Sequence, residues 1–86
     1  MKPIVMFYQT TCPHCQRAFR WMDAVMQAHP EYAAIPLERV EEREQAERAN
    51  AHDYWYVPTF YVDGEKVHEG VASQQIIEGV FEKAYQ

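Results

Sequence analysis

The sequence predicts an α/β domain with the element order βαβαββα, and three observations carry that prediction. An apolar run of strand length opens the chain at Ile4–Tyr8. The apolar period switches to helical spacing directly after Pro13. An Asp63-Gly64 pair then separates two short strand-like runs ahead of a closing amphipathic stretch. With 86 residues the chain has material for one domain, and its 48% apolar content and twelve aromatic residues (six Tyr, four Phe, two Trp) supply a core.

Each element has its own local cause. Ile4-Val5-Met6-Phe7-Tyr8 is apolar without alternation and rich in β-branched and aromatic side chains, the pattern of a central strand buried on both faces. From Pro13, residues Ala18, Phe19, Met22, Val25 and Met26 fall on one helical face, with Gln16, Arg17, Arg20, Asp23 and Gln27 on the others. Proline at a first helical position loses no hydrogen bond, because that N–H has no intrahelical partner, and Pro30 is the latest point at which the helix can end. Ile35–Val40 reads as a second strand, and Pro36 within it points to a sheet edge. The charged stretch between Glu38 and Arg48 reads as a solvated outer face. It includes a short helix over Glu42–Ala51, with a Glu44–Arg48 pair at i,i+4 and with Ala46 and Ala49 turned to the core. Thr59–Val62 and Glu65–His68 form a tight hairpin, since Asp-Gly accepts the positive φ such turns need. Ser73 is placed to cap a last helix carrying Ile76, Ile77, Val80, Phe81 and Ala84.

Composition excludes several functions. A formal net charge of −5, from thirteen acids against eight Lys and Arg, is wrong for nucleic acid, whose phosphates need cations, and for an anionic membrane surface. The apolar run after Lys2 and Pro3 is shorter than the roughly 7 to 15 residues of a signal-peptide core, and nothing approaches the roughly 18 residues of a membrane span. Two cysteines allow one internal bridge at most, which does not make a disulfide scaffold. The expectation is a cytoplasmic protein whose thiols are mostly reduced.

The chemistry sits in Cys12-Pro13-His14-Cys15, where the first strand hands over to the first helix. Positions i and i+3 share a helical face about 5 to 6 Å apart, which suits a disulfide. Cys12 stands at the helix start, where unpaired N–H groups and the positive end of the helix dipole favour a thiolate. This makes it the nucleophile. Cys15, one turn further in, is placed to attack the mixed disulfide that Cys12 forms, which makes it the resolving thiol. His14 between them is either a solvated residue or, when protonated, a cation that favours the thiolate and raises the reduction potential. Half of a zinc site is the competing reading, but its other ligands would have to come from His14, His29, His52 and His68, which show no paired spacing. The last three read as plain surface residues.

Cys12-Pro13-His14-Cys15 after a hydrophobic strand, Val57-Pro58-Thr59 opening a hairpin some forty residues later, and a terminal helix together resemble the thioredoxin superfamily. In length the chain is closest to glutaredoxins and glutaredoxin-like small thioredoxins. The resemblance covers nearly the whole chain. It implies a thioredoxin-like fold with a four-stranded mixed sheet in the order 2-1-3-4, helices on both faces, and a thiol–disulfide oxidoreductase activity. It also implies a cis peptide before Pro58 that faces the dithiol, and a substrate polypeptide pairing with the backbone at Val57. Tyr54-Trp55-Tyr56 precedes this loop either as an apolar rim for that polypeptide or, as favoured here, as a cover over the end of the core.

The chain also departs from the resemblance. Many glutaredoxins carry a Lys or Arg where this chain has Gln9. They also have Gly-Gly and then an acidic pair before the last helix, where this chain has Glu69-Gly70-Val71-Ala72-Ser73. Gly70 and the helix start at Ser73 are the anchors that remain for glutathione, which is expected as a weak co-substrate at most, with no tightly bound cofactor. The expected partners are disulfide-containing proteins, with a flavoprotein disulfide reductase as a better electron donor than glutathione. Two alternatives use the same cysteines: a Cu(I) or zinc carrier, and an iron–sulfur cluster shared between chains. Ferredoxin-like metal carriers end on a strand, whereas this chain ends on an amphipathic helix.

Overall fold

A computed structural model describes residues 1–86. The elements in chain order are β1 (Ile4–Tyr8), α1 (Pro13–Ala28), a 3₁₀ turn (Pro30–Ala34), β2 (Leu37–Glu41), α2 (Ala46–Asn50), β3 (Thr59–Val62), β4 (Glu65–Glu69) and α3 (Gln74–Tyr85). They form one four-stranded sheet in the order β2-β1-β3-β4, with β1 parallel to β2 and the other neighbours antiparallel. This is the expected mixed sheet with β1 inside it and β2 at an edge.

Alternation along the strands divides the core in two. Ile4 and Met6 of β1 and Phe60 and Val62 of β3 face α1 and α3, packing with Ala18, Met22, Val25, Ile77, Val80, Phe81 and Ala84. Phe7, Val40 and Tyr61 face the other way onto Ala49 of α2, with Val5, Tyr54 and Val57 around them. A strand of period two thus serves both layers at once, which is why the Ile4–Tyr8 run is apolar throughout.

The turns follow the chemistry of their residues. Asp63 and Gly64 both adopt positive φ, 53° and 81°, and close the β3–β4 hairpin. Ser73 caps α3, its hydroxyl accepting the amide of Ile76 at 3.1 Å.

Five expectations need correction. The second strand starts at Leu37 rather than Ile35: Pro36 lies outside it, and Ile35 is instead a buried plug at the end of the 3₁₀ turn. The second helix is five residues long, not ten, because the Glu41 carboxylate takes the amide of Arg43 at 2.7 Å and ties residues 41–45 into turns that compete with a helix. Only Ala49 of its two expected core alanines is buried, and Arg48 reaches across to Glu38 on β2 at 2.6 Å rather than to Glu44. Ile76 sits at the rim of α3, 36% exposed.

The cap yields a direct expectation. Ser73→Ala should destabilise the domain by about 1 kcal/mol, and Ser73→Gly by only a few tenths, in urea unfolding. Equal losses in the two variants would mean that the serine acts by something other than its hydroxyl.

Candidate active site

Every segment that builds the site leaves the sheet at one end. β1 runs out at Tyr8 into Gln9-Thr10-Thr11 and then Cys12. β2, parallel to it, ends at Glu41 opposite Tyr8. β3 begins at Thr59 opposite Phe7, so the Val57-Pro58 loop lies just beyond the end of β1, and Glu69, the last residue of β4, is opposite Thr59.

Cys12 is the residue before α1, extended at φ −87° and ψ 116°, with Pro13 in the first turn. Its carbonyl accepts the amides of Cys15 and Gln16, both at 3.1 Å, and its thiol makes no capping bond. Both cysteines are free thiols, Cys12 half-exposed and Cys15 completely buried. Burial pushes the Cys15 thiol up to about 12, offset in part by the backbone N–H of Gln9, while the adjacent Cys12 thiol and the Glu42 carboxylate raise it further. Cys15 therefore stays protonated in the reduced protein. His14 projects from the first turn into solvent.

The strand end also holds the loop that carries Cys12. Glu41, only 5% exposed, accepts the amide of Thr10 at 2.8 Å, the hydroxyl of Thr10 at 2.9 Å and the guanidinium of Arg43 at 3.1 Å, in addition to the Arg43 amide. Those bonds, led by the Thr10 amide, hold its carboxyl down to about 2. Glu42 next to it accepts from the Gln9 side-chain amide and from the Tyr54 hydroxyl at 2.7 Å. Glu41 thus leaves the solvated charged face to which its sequence context assigned it. These two glutamates are site residues that sequence reasoning missed. Their only signal is position, two acids where β2 ends, and that acquires meaning only when β2 is aligned with β1.

The second half of the site is the loop before β3. The Val57-Pro58 peptide is cis, as the resemblance implied. Pro58 and Thr59 are buried. The Thr59 hydroxyl donates to the carbonyl of Tyr56, and the Pro58 carbonyl accepts the amide of Gly70 at 2.8 Å. Gly70, at φ +92°, thus serves this loop from the neighbouring strand end. Val57 makes no backbone hydrogen bond through either its N–H or its C=O. Of the three aromatic residues before it, Tyr54 covers the core as favoured, stacked on Phe7 at 5.0 Å, whereas Trp55 and Tyr56 stand out in solvent.

The other three histidines are engaged elsewhere in the fold. His52 is not a plain surface residue: it packs on Phe7 at 4.7 Å and on Tyr61 at 4.9 Å, with Nδ1 2.8 Å from the Arg48 carbonyl. His29 stacks on Tyr32, and His68 sits 2.9 Å from the Val71 carbonyl. No group of three or more His, Cys, Asp or Glu side chains is arranged to hold a metal.

The chain matches the thioredoxin domain family over residues 2–82 and belongs to it. Its backbone superposes on the oxidised thioredoxin of Plasmodium falciparum with a TM-score of 0.73 at 22% identity, covering 95% of this chain and 79% of that one. Mitochondrial thioredoxin 3 of Saccharomyces cerevisiae in its oxidised form gives 0.71 at 21% identity, over 94% and 77% of the two chains. A thioredoxin-like protein of Clostridium perfringens gives 0.71 at 25% identity, over 98% and 71%. No curated protein matches the chain. The thioredoxin fold with two neighbouring cysteines supports, at a general level, a thiol–disulfide oxidoreductase.

Glu41 makes the site sensitive to acid. Its folded-state pKa lies below its ordinary value of 4.5, so its contribution to stability is complete above that value and is lost as pH falls toward about 2. Glu69, held down to about 2 first by Lys66, acts in the same direction. Glu41→Gln should lower stability at neutral pH and flatten its dependence on pH below 4.5, read from denaturant unfolding at a series of pH values. A slope as steep as that of the parent protein would rule Glu41 out as a source of the acid sensitivity.

Proposed function

We propose that the protein reduces and exchanges protein disulfides through its Cys-Pro-His-Cys dithiol, with Cys12 as nucleophile and Cys15 as resolving thiol. The observation that carries this reading is the contrast between the two thiols: Cys12 half-exposed at the start of α1, Cys15 buried one turn on with its proton retained. The Cys12 thiolate attacks one sulfur of the substrate disulfide, and the other sulfur leaves as a thiolate that takes up a proton. Cys15 then gives up its proton and attacks the Cys12 sulfur, releasing the second substrate thiol and leaving a Cys12–Cys15 disulfide. Two electrons have passed to the substrate, and an external donor must return them. His14, exposed on the same turn, acts on Cys12 through its charge when protonated, and Pro13 fixes the backbone at the helix start. Val57, Pro58 and Thr59 form the substrate-binding edge, with Gly70 bonded behind it.

Disulfide exchange is favoured over carriage of Cu(I), zinc or an iron–sulfur cluster by the element order, which ends on a helix, and by the absence of further ligating side chains grouped with the two thiols. No helix is long and apolar enough to cross a membrane. The donor we favour is a flavoprotein disulfide reductase. The groups that could have bound the carboxylates of glutathione are otherwise engaged: the Gln9 amide by Glu42, the Gly70 amide by Pro58, and the Ile76 amide by Ser73. Glutathione is then a weak co-substrate, and the compartment of action is the cytoplasm.

Cys12→Ser should abolish turnover of a protein disulfide. Cys15→Ser should stop after the first step as a mixed disulfide through Cys12, identified by mass spectrometry. Reductase activity surviving in Cys12→Ser would refute the assignment. Side by side, a thioredoxin-reductase-type flavoprotein should turn the protein over faster than glutathione with glutathione reductase, and the reverse order would make it an ordinary glutaredoxin.

A further inference from the structure

Gln9 is where β1 gives way to the loop that carries Cys12, and each of its polar groups is committed. Its carbonyl accepts the Cys12 amide at 3.1 Å. Its backbone N–H has no carbonyl partner and is directed at the Cys15 sulfur. Its side-chain amide donates to the Glu42 carboxylate, which also takes the Tyr54 hydroxyl at 2.7 Å. Both holders are themselves fixed. Tyr54 is stacked on Phe7 of the core at 5.0 Å, and the Glu42 amide donates to the Tyr8 carbonyl at 2.9 Å. The backbone of one residue thus meets both cysteines, while its side chain is tied to the core through a carboxylate and a ring.

A thiol sulfur is a weak hydrogen-bond acceptor and a thiolate a strong one, so an N–H aimed at Cys15 stabilises most when that thiol gives up its proton. This happens in the second step of exchange. The Cys15 sulfur bonds to the Cys12 sulfur, the bond from Cys12 to the substrate breaks, and the proton lost by Cys15 ends on the departing substrate sulfur. Burial, the Cys12 thiol and the Glu42 carboxylate all oppose charge on Cys15, and the Gln9 N–H is the group that favours it. A donor fixed before the charge develops needs no reordering at the moment of reaction. We propose that Gln9 is a positioning residue for the resolving step: its side chain, anchored on Glu42 and Tyr54, aims its own backbone N–H at the sulfur of Cys15. This rests on the reading of Cys15 as the resolving thiol and names what assists it. Glu42 then acts in two opposed ways, its charge disfavouring the thiolate and its oxygen holding the donor that favours it.

The test follows the reduced protein with 5,5′-dithiobis(2-nitrobenzoate) in a stopped-flow absorbance experiment. Attack by Cys12 releases one coloured thiolate, and resolution by Cys15 releases a second. Gln9→Met, a change at a half-buried side chain, should leave the first release within about twofold of the parent's and slow the second about tenfold, the effect of one hydrogen bond to a charged group. Glu42→Met should slow the second release likewise. Glu42→Gln keeps an acceptor for Gln9 without the charge and should resolve at least as fast as the parent. Equal acceleration in both Glu42 variants would show that charge alone acts, and would overturn the proposal. The aim of the N–H is also read without chemistry, by amide hydrogen exchange at residue 9 of the reduced protein in nuclear magnetic resonance. Protection should be present in the parent and in Glu42→Gln, and should fall about tenfold in Gln9→Met, Glu42→Met and Cys15→Ala. A parent that releases only one equivalent overturns the resolving role of Cys15 and the proposal with it. Two equivalents, with rates and protection unmoved in Gln9→Met, overturn the positioning role alone.

Discussion

The site depends on β1 being held from every side. It is hydrogen-bonded to β2 along one edge and to β3 along the other, and it contributes Ile4 and Met6 to one layer of core and Phe7 to the other. A strand so constrained cannot shift its register without turning its side chains out of both layers. Its exit at Tyr8 is therefore a fixed point, and the four residues from there to Cys12 inherit that precision. The flanking strands end at the same level, which brings Glu41, Thr59 and Glu69 to the same edge although they are far apart in the chain.

Placement alone would leave the Gln9–Thr11 link free to move. Two side chains from the end of β2 prevent this: Glu41 takes the amide and the hydroxyl of Thr10, and Glu42 takes the side chain of Gln9. A carboxylate in such a position accepts several donors at once, and each bond is strengthened by its charge. Glu69 does the same on the opposite side for Trp55 and Tyr56. The two halves of the site are thus each pinned by an acid at a strand end, which gives part of the negative charge a structural use rather than a solvating one.

The two cysteines differ because one turn of helix separates a surface from an interior. Cys12 precedes the first helical residue and stays partly open, while Cys15 lies on the face of α1 that turns to the sheet. Burial keeps the Cys15 thiol protonated. In the proposed mechanism this contrast, one reachable thiol and one enclosed, gives the exchange its direction, and the enclosure comes from the same helical face that packs Ala18, Met22 and Val25.

Much of this was legible in the residues. The order of elements followed from local periodicity, the Asp63-Gly64 turn and the Ser73 cap from local hydrogen-bond chemistry, and the dithiol from Cys12 and Cys15 at the start of a helix, because each of these is decided within a few neighbouring positions. Contacts between residues distant in the chain were not legible. Glu41 and Glu42 looked like members of a charged surface run, His52 like a surface histidine, and Trp55 and Tyr56 like core covers, because a sequence does not state which strand end meets which loop. Only the packed sheet, by aligning the ends of β1, β2 and β4, decided that the acids hold the loops and that the two rings remain in solvent.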